Sequence, residues 1–232
     1  MVYVPAGEFT MGRDDIVFGK EVVHPVYLDA FWIDQTEVTN GMYAKCVTDG
    51  GCMTHTSMSY SHGLYYGNPA YDNYPVIHVS WDRADKYCSW ANRRLPTEAE
   101  WEKAASWDEK KGIKHVYPWG DTIDCTLANY KGKDNGCVGD TTPVGSYQDG
   151  QSTYGAFDMA GNVWEWVSDW WDPSYYEDSP YLNPQGPNSG TLRVVRGGSW
   201  GAVNTVVGSA DRTWFQPSMK SDSIGFRCAL SE

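Results

Sequence analysis

The sequence has 232 residues, 41% of them hydrophobic and 21% charged, so it can bury a sizeable core and is not globally disordered. Its 24 Gly, 12 Pro, 12 Trp and 16 Tyr indicate aromatic clusters joined by turns, and exclude collagen, a coiled coil and a helical bundle. The net charge of −12 argues against a nucleic-acid partner, because nucleic-acid-binding proteins concentrate Lys and Arg on one face.

Three helices are predicted from their caps and apolar spacing. Thr39 marks the start of the first helix, which ends at the Gly50–Gly51 pair. Ser80 marks the start of the second helix. Thr97-Glu98-Ala99-Glu100 is a capping box that opens the third. The apolar positions that define the three helices are Met42, Tyr43 and Cys46; Trp81, Ala84, Cys88 and Ala91; and Trp101 and Ala105.

Four strands are predicted, at 25–33, 163–167, 193–200 and 225–230. In the first strand, Val26, Leu28 and Trp32 alternate with Tyr27, Asp29 and Ile33. Residues 106–160 are predicted to be mostly loop. An irregular segment of that length is uncommon in a compact domain unless it is functional or held by ions or disulfides.

The six cysteines form no C-x-x-C pair and show no zinc-ligand spacing to the five histidines, so zinc is not expected. Cys46 and Cys52 flank the Gly50–Gly51 turn, and Cys125 and Cys137 flank a glycine-containing loop, so each pair could close a local disulfide. The alternative is six buried thiols in a reducing compartment, since free Cys packs well as a small hydrophobic residue.

A series of motifs runs through the chain in order. They are Val4-Pro5-Ala6-Gly7-Glu8-Phe9-Thr10-Met11-Gly12, Glu37-Val38-Thr39-Asn40, Pro75-Val76 with Val79-Ser80-Trp81, Arg94-Leu95-Pro96-Thr97-Glu98-Ala99-Glu100-Trp101-Glu102, Tyr117-Pro118-Trp119-Gly120, Asp158-Met159-Ala160-Gly161-Asn162-Val163-Trp164-Glu165-Trp166, Arg196-Gly197-Gly198-Ser199-Trp200 and Ile224-Gly225-Phe226-Arg227-Cys228. The series resembles the formylglycine-generating enzyme (sulfatase-modifying factor) family over essentially the whole chain.

The resemblance implies an α+β fold, a variant of the C-type lectin fold with little regular secondary structure, twisted antiparallel strands and two or three helices. We expect one domain of this type over residues 1–232. The resemblance also implies a Cys88–Cys228 disulfide. The remaining cysteines would then form the Cys46–Cys52 and Cys125–Cys137 bridges, and all six would be paired.

In the members of this family that make formylglycine, two thiolates shortly after the Arg-Gly-Gly-Ser motif hold Cu(I), a soft ion that selects sulfur ligands. Here Ala202 and Val207 stand near those two positions, and neither residue can bind a metal. We therefore predict no copper and no formylglycine synthesis. The sulfoxide-synthase branch of the superfamily uses an iron site built with an additional helical domain, for which this chain has no room.

Two further patterns are predicted to have no catalytic role. Gly197-Gly198-Ser199-Trp200-Gly201 fits G-x-S-x-G, but a nucleophile elbow requires a strand-to-helix turn and a downstream His, and no His follows His115. Glu98, Glu100 and Glu102 are predicted to be a helix cap and a solvated helix face rather than an acid/base pair.

Calcium is the cofactor that the resemblance favours, since Ca²⁺ binds carboxylate and backbone oxygens. The implied ligands are the side chains of Asp158 and Glu165 and the carbonyls of Gly161 and Val163. The alternative is that Asp158 caps a turn and Glu165 pairs with an arginine. A second implied site uses Asn129 and the carbonyl of Tyr130, with Asp134 as the candidate acidic ligand.

Residues 201–223 lie between two well-matched motifs and are predicted to be a variable ligand-binding segment. The pattern is similar to the variable proteins of diversity-generating retroelements, which place a hypervariable surface at the C-terminus of the same fold. Trp214, Phe215 and Met219 are predicted apolar anchors, with Asn204, Asp211, Ser218 and Asp222 as polar contacts. The complete predicted set is Gly201, Ala202, Asn204, Val206, Gly208, Asp211, Thr213, Trp214, Phe215, Ser218, Met219, Ser221, Asp222 and Ser223. The alternative is a drifting, inactive relic.

The sequence thus predicts a non-catalytic domain that binds a protein or another surface ligand. An oxidoreductase of the formylglycine-generating type and a sensor module of a larger signalling protein are the alternatives. No membrane span is expected, because the chain has no apolar run of about 18 residues. Residues 1–11 lack the basic and apolar regions of a signal peptide. If the disulfides form, an extracytoplasmic or cell-surface location is favoured.

Overall fold

The computed structural model describes residues 1–13, 23–55, 57–132 and 136–232. Asp134, the candidate acidic ligand of the second calcium site, lies outside these ranges. Within them the chain forms three α-helices and thirteen short strands. The strands are β1 (Val2–Val4), β2 (Gly7–Met11), β3 (His24–Leu28), β4 (Phe31–Ile33), β5 (Met58–Ser59), β6 (Gly63–Leu64), β7 (Trp107–Asp108), β8 (Ile113–Lys114), β9 (Trp164–Trp170), β10 (Arg193–Arg196), β11 (Arg212–Phe215), β12 (Ile224–Phe226) and β13 (Ala229–Ser231).

The three predicted helices are confirmed as α1 (Asn40–Thr48), α2 (Trp81–Trp90) and α3 (Glu98–Ser106). Thr39 caps α1 by accepting a hydrogen bond from the Met42 amide, and the capping box of Thr97 and Glu100 opens α3. Ser80 occupies the N-cap position of α2, but its side chain makes no capping hydrogen bond. No helix in the described ranges has the length and apolar character that crossing a bilayer requires.

The predicted strand at 25–33 is two strands, β3 and β4, separated by Asp29 and Ala30. This break shifts the alternation of side chains, so Trp32 is 39% exposed while Ile33 is fully buried, and the predicted pairing of Trp32 with the Val26 face is wrong. The predicted strand at 193–200 ends at Arg196. Two strands, β12 and β13, replace the predicted one at 225–230.

A four-stranded sheet in the order β11-β10-β9-β12 forms the middle of the molecule. β12 runs parallel to β9, and the other neighbours are antiparallel. An antiparallel sheet in the order β1-β4-β13 brings the two ends of the chain together. The segment 106–160 is mostly irregular, as predicted: after α3 ends at Ser106, its described residues contain the β7–β8 pair and a 3₁₀ turn at Gln148–Gly150.

The α+β fold is confirmed, and its core has two main apolar clusters. One packs α3 against β1–β4, and the other packs α1 and α2 against the four-stranded sheet. The Cys88–Cys228 disulfide is fully buried in the second cluster and ties α2 to the C-terminal strands. The Cys46–Cys52 and Cys125–Cys137 disulfides are also present, so all six cysteines are paired.

The prediction that Glu98 and Glu102 face solvent is wrong. Both carboxylates are buried, because α3 is surrounded by strands on every side. Glu98 accepts two hydrogen bonds from Arg212, at 2.8 and 2.7 Å, and Glu102 accepts one from Arg196 at 2.6 Å. Of the three glutamates, only Glu100 has the predicted capping role.

Candidate functional site

The turn after β10 brings together the two positions at which copper thiolates are expected in the enzymes of the resembling family. Gly197 and Gly198 both have positive φ angles, +88° and +77°, which end the strand. A Cβ atom at Gly198 would lie 2.4 Å from Cγ1 of Val207, so only glycine allows this contact. Val207 is fully buried, and Ala202 is half-buried against the same apolar cluster.

This apolar cluster leaves no thiol beside the Gly-Gly-Ser turn. Its buried members are Tyr117, Ala128, Tyr130 and Val207, and the partly buried Cys137 packs against them in its disulfide with Cys125. Within the described ranges, no group of three or more His, Cys, Asp and Glu side chains is placed to hold a metal ion. The strand-to-helix turn of a nucleophile elbow is not formed either, because a short turn follows Ser199.

Glu165, a predicted calcium ligand, forms a buried ion pair with Arg227. The guanidinium donates from Nε to Oε2 at 2.6 Å and from a terminal nitrogen to Oε1 at 2.7 Å. The indole of Trp101 also donates to Oε2, at 2.8 Å. The arginine pairing that was the alternative for Glu165 is therefore the arrangement that the structure has.

Asp158 has a different environment. It accepts a hydrogen bond from the Gly145 amide at 2.6 Å, and its carboxyl lies within hydrogen-bonding reach of Glu37. One oxygen of Glu37 accepts from Asn162 at 3.0 Å, and the other is buried without a partner. Burial, followed by the charges of Asp158 and Glu165, raises the pKa of Glu37 well above its usual value, and burial also raises the pKa of Asp158.

Glu37 belongs to the Glu37-Val38-Thr39-Asn40 motif, and no role was predicted for it. Arg227 is the buried cation that faces the three carboxylates Glu37, Asp158 and Glu165. Ionising all three carboxylates beside one cation would leave an excess of negative charge, and the raised pKa values of Glu37 and Asp158 reflect burial and that repulsion. Glu37 has one buried oxygen without a hydrogen-bond donor, and with Asp158 it forms an all-oxygen set, the donor chemistry that Ca²⁺ takes.

The residues of the two implied calcium sites are neighbours. The Asn129 carbonyl accepts a hydrogen bond from the Asn162 amide at 2.7 Å, and the Asn129 side-chain oxygen is buried without a partner. Gly161 lies directly against the Asn129 carbonyl, and Val163 is fully buried. The Tyr130 carbonyl, however, accepts hydrogen bonds from the Gly132 and Cys137 amides, at 2.9 and 3.0 Å.

The structure divides the predicted binding segment among three neighbourhoods. In the first, Gly201 and Asn204 are exposed, and Ala202 and Val206 are half-buried. The Tyr117 hydroxyl donates to the Asn204 carbonyl at 3.1 Å. This stretch borders a cavity of about 600 Å³ next to the Cys125–Cys137 disulfide.

The second neighbourhood is β11 and the turn before it. Trp214 is 36% exposed, and its ring stacks on Trp171 with centroids 4.2 Å apart. Phe215 points inward, where its ring meets Trp166 edge-on. Thr213 is half-buried.

Two predicted contacts in this stretch are corrected by burial and bonding. Gly208 is buried and so is removed from the surface. The Asp211 carboxylate accepts from the Gly208 amide at 2.8 Å and pairs with Arg13, so it holds the turn together. Burial raises the pKa of Asp211.

The third neighbourhood is the turn before β12. Ser218 and Met219 are exposed, with Met219 41% exposed. The Trp200 indole donates to the Asp222 carbonyl at 3.3 Å. Ser221 and Ser223 share a hydrogen bond of 2.9 Å between their hydroxyls.

The hairpin β5–β6 adds an exposed apolar surface that was not predicted from the sequence. Met58 is 67% exposed and Tyr60 is 75% exposed, and the Tyr60 ring lies 5.7 Å from that of Trp200. The signal was a group of apolar residues at 53–64 with neither helical nor strand periodicity. Apolar residues without such periodicity indicate a surface loop whose exposed apolar side chains can contact a partner.

Comparisons with known proteins identify the family of this chain. Residues 1–232 match the family of the sulfatase-modifying factor enzyme 1-like domain. The formylglycine-generating enzyme of Streptomyces coelicolor is 34% identical, over 98% of this chain and 88% of that protein. The serine/threonine-protein kinase pkn1 of Chlamydia caviae is 35% identical over 99% of this chain, but the chain spans only 37% of the kinase.

Two solved structures have the same fold. PvdO from Pseudomonas aeruginosa superposes with a TM-score of 0.79 at 29% identity, over 99% of this chain and 93% of PvdO. Treponema denticola variable protein 1 gives 0.80 at 25% identity, over 100% of this chain and 95% of that protein. The fold is thus the predicted C-type-lectin-like one, and the chain belongs to the family of the sulfatase-modifying factor enzyme 1-like domain.

Proposed function

We propose that this chain is a non-catalytic member of its family that binds a protein or another ligand through the exposed residues of 201–223. The observation that carries the proposal is the apolar cluster at Ala202 and Val207. Neither side chain offers the sulfur that Cu(I) selects, and all six cysteines of the chain are in disulfides.

The likeness to Treponema denticola variable protein 1 supports the role of the segment as a variable surface. Buried positions such as Ser209 and Ile224 hold the segment to the core, while Asn204, Ser218 and Met219 are exposed. A segment anchored in this way can change its exposed side chains without unfolding the scaffold.

Trp214 and Met219 are the apolar anchors of the proposed surface. The stack on Trp171 already fixes the Trp214 ring, so binding would cost little side-chain entropy. Phe215 packs against the core and holds β11 in place, so it is left out of the anchors.

The binding proposal is tested by panning a displayed random-peptide library on the immobilised, disulfide-bonded protein. We expect enriched peptides to lose at least tenfold in affinity with the double variant Trp214→Ala/Met219→Ala, as is usual for anchor residues. The matched control is Tyr3→Ala/Leu230→Ala, which removes exposed apolar side chains from the β1-β4-β13 sheet. Equal loss with both pairs, or no enrichment, would contradict the proposal.

The rival is an oxidoreductase, which the 34% identity to a formylglycine-generating enzyme favours. It is tested with Cu(I) titration followed by an O₂-dependent oxidation assay on a cysteine-containing peptide. We expect no stoichiometric Cu(I) binding and no turnover. Stoichiometric Cu(I) binding, or O₂-dependent oxidation of the peptide, would favour the rival. A sensor module within a larger signalling protein is a further candidate, because the Chlamydia caviae relative places a similar domain in a kinase.

We also propose a structural calcium ion, with Asp158 and Glu37 supplying the carboxylates and the Glu37 oxygen that has no protein donor as one ligand. Asn129, the Gly161 carbonyl and the Val163 carbonyl are further oxygen donors nearby, whereas Glu165 stays with Arg227. We expect EDTA to lower the melting temperature and added Ca²⁺ to restore it, since a ligand at about 100 times its Kd stabilises the folded state by about 2.7 kcal/mol. An identical melting curve with EDTA and with Ca²⁺ would refute this site.

The three disulfides support an oxidising, extracytoplasmic location for the folded chain. A thiol count on the protein isolated from its native source tests this. We expect no reactive thiol before denaturation and reduction, whereas six titratable thiols would indicate a reducing compartment.

A further inference from the structure

A polar cavity of about 640 Å³ lies between hairpin β5–β6, the start of α2 and the end of the variable segment. Its volume is in the range of small-molecule sites. The residues that line it are Thr54, His55, Ser57, Met58, Ser59, His78, Arg83, Lys220 and Asp222. None of them has been assigned a role above except Asp222.

Arg83 and Lys220 bring two positive charges to this cavity. Among the residues that the structure describes, neither cation is in an ion pair. The other seven arginines of the chain each have a carboxylate or a tryptophan ring beside them. The partners are Asp211 for Arg13, Asp34 for Arg93, Glu100 for Arg94, Trp81 and Trp170 for Arg193, Glu102 for Arg196, Glu98 for Arg212 and Glu165 for Arg227.

The lack of a partner for Arg83 is unusual in a chain with 30 acidic and 18 basic residues. Burial, together with the charges of Arg83, His78 and Lys220, lowers the pKa of His55 to about 4, although a hydrogen bond to the Ile77 carbonyl raises it. Arg83 and Lys220 therefore both act on the part of the cavity where His55 lies. A positive site of this kind in an acidic protein is suited to an anionic group.

Ser57 adds a hydrogen-bond donor to the cavity. It is only 3% exposed, and its hydroxyl has no partner among the protein groups. A buried polar group without a partner costs free energy, and a bound ligand oxygen would remove that cost. His78 is held in place by a 3.0 Å contact between its Nε2 and the Met58 carbonyl.

The charge balance selects the kind of anion. Among the Arg, Lys and Asp side chains that line the cavity, Arg83 and Lys220 contribute two positive charges and Asp222 contributes one negative charge. A carboxylate neutralises the remaining positive charge, whereas a phosphate dianion leaves an excess of negative charge. The exposed Met58 side chain at the rim offers an apolar contact for the rest of the ligand.

We propose that this cavity binds a carboxylate group attached to an apolar body, with Arg83 and Lys220 as charge partners and Ser57 as a hydrogen-bond donor. The inference deepens the proposed function and rests on it, because Lys220 and Asp222 belong to the variable segment. It names the ligand chemistry that this end of the surface recognises.

The test is a titration of the ¹⁵N-labelled, disulfide-bonded protein with hexanoate, followed by NMR. We expect saturable shifts at residues 54–59, 78–83 and 220–222. Hexanol, which has the same chain without the carboxylate, is expected to cause no saturable shift there, and inorganic phosphate is expected to bind more weakly than hexanoate. Tighter phosphate binding, or hexanoate shifts elsewhere, would overturn the assignment.

The variant Arg83→Ala/Lys220→Ala is expected to weaken hexanoate binding at least tenfold. The matched control, Lys86→Ala/Lys110→Ala, removes the same two charges at exposed positions outside the cavity, one of them on α2. Equal affinity of the two variants would refute the inference. Melting curves establish that both variants are folded. Lys220→Ala alone changes an exposed position, and it too is expected to weaken hexanoate binding.

The failure of this inference can be told apart from failure of the proposed function. Trp214 does not line the cavity, so Trp214→Ala is expected to weaken the panned peptides and leave hexanoate binding unchanged. Peptide binding without hexanoate binding would refute only the cavity. Hexanoate binding in the cavity, with peptides indifferent to Trp214 and Met219, would refute only the peptide surface.

Discussion

The arginines around α3 and the single arginine of the cavity beside α2 differ in how their positive charges are paired. Around α3, Arg196 is fully buried and donates to Glu102 at 2.6 Å, and Arg212 donates twice to Glu98. In the cavity beside α2, Arg83 has no ion-pair partner in the described part of the chain. The arginines around α3 hold the fold together, whereas the charge of Arg83 is available to the ligand that we propose.

The arginines around α3 depend on complete pairing. Glu102 also accepts a hydrogen bond from Lys114 at 2.5 Å, and these positive charges lower its pKa although burial raises it. Two charges taken out of water are costly, and their mutual attraction offsets this only while both partners are present. Removing one partner is therefore far worse than never having had the pair.

Arg196→Ala gives the largest expected effect. It leaves Glu102 with a single cation and weakens the pairing of Glu98, so the free energy of unfolding should fall by about 3–5 kcal/mol. For a chain of this size that is a fall in melting temperature on the order of 10 °C. Thermal and urea unfolding measure it.

The matched variant Arg83→Ala sharpens the comparison, because it removes the same side chain from a position without an ion pair. We expect its unfolding free energy to stay within about 0.5 kcal/mol of the wild type. If Arg83→Ala destabilises the protein as much as Arg196→Ala does, the distinction between structural and available cations is wrong.

The sequence could predict where the helices begin and the capping box of α3, but not this ion network. A cap is local, since Thr97 and Glu100 lie three residues apart, and the capping box is confirmed. The arginine partners of Glu98 and Glu102 lie 94 to 114 residues away along the chain, so the glutamates resemble a solvated face. Whether such a face meets water depends on what packs over it.

The difference between local and distant signals also explains which parts of the site could be predicted. The motifs located the thiol positions at Ala202 and Val207, and the structure places both against one apolar cluster. The cavity of Arg83 and Lys220 was missed because its lining comes from three separate segments. None of those segments alone has a pattern that indicates a ligand.

Asp169 shows a second way in which the interior deals with charge. It is 3% exposed, accepts hydrogen bonds from the Glu98 amide and the Ser168 hydroxyl, and has no ion pair in the described ranges. Burial and the charge of Glu98 raise its pKa to about 7. A carboxyl can thus be neutralised by a proton, whereas a guanidinium cannot lose its charge.

Asp169→Asn tests this with a pH series. Because the folded-state pKa lies above the unfolded value, the contribution of Asp169 to stability is complete below about pH 4 and is lost as the pH rises towards 7. The difference in unfolding free energy between wild type and variant should change by on the order of 1 kcal/mol per pH unit in that window. Urea unfolding at several pH values measures it, and a constant difference would show that Asp169 is ionised throughout.

The smallest expected effect distinguishes a binding site from a structural one. Arg83 and Lys220 are like charges beside one cavity, so a ligand-free protein gains nothing from having both there. Arg83→Ala/Lys220→Ala should therefore leave the unfolding free energy unchanged or raise it by up to about 0.5 kcal/mol at low salt. The gain should vanish near 1 M salt, where the Debye length is about 3 Å. Stability lost at low salt would mean that the two cations serve the fold, because charges retained for a ligand stabilise the protein only when the ligand is bound.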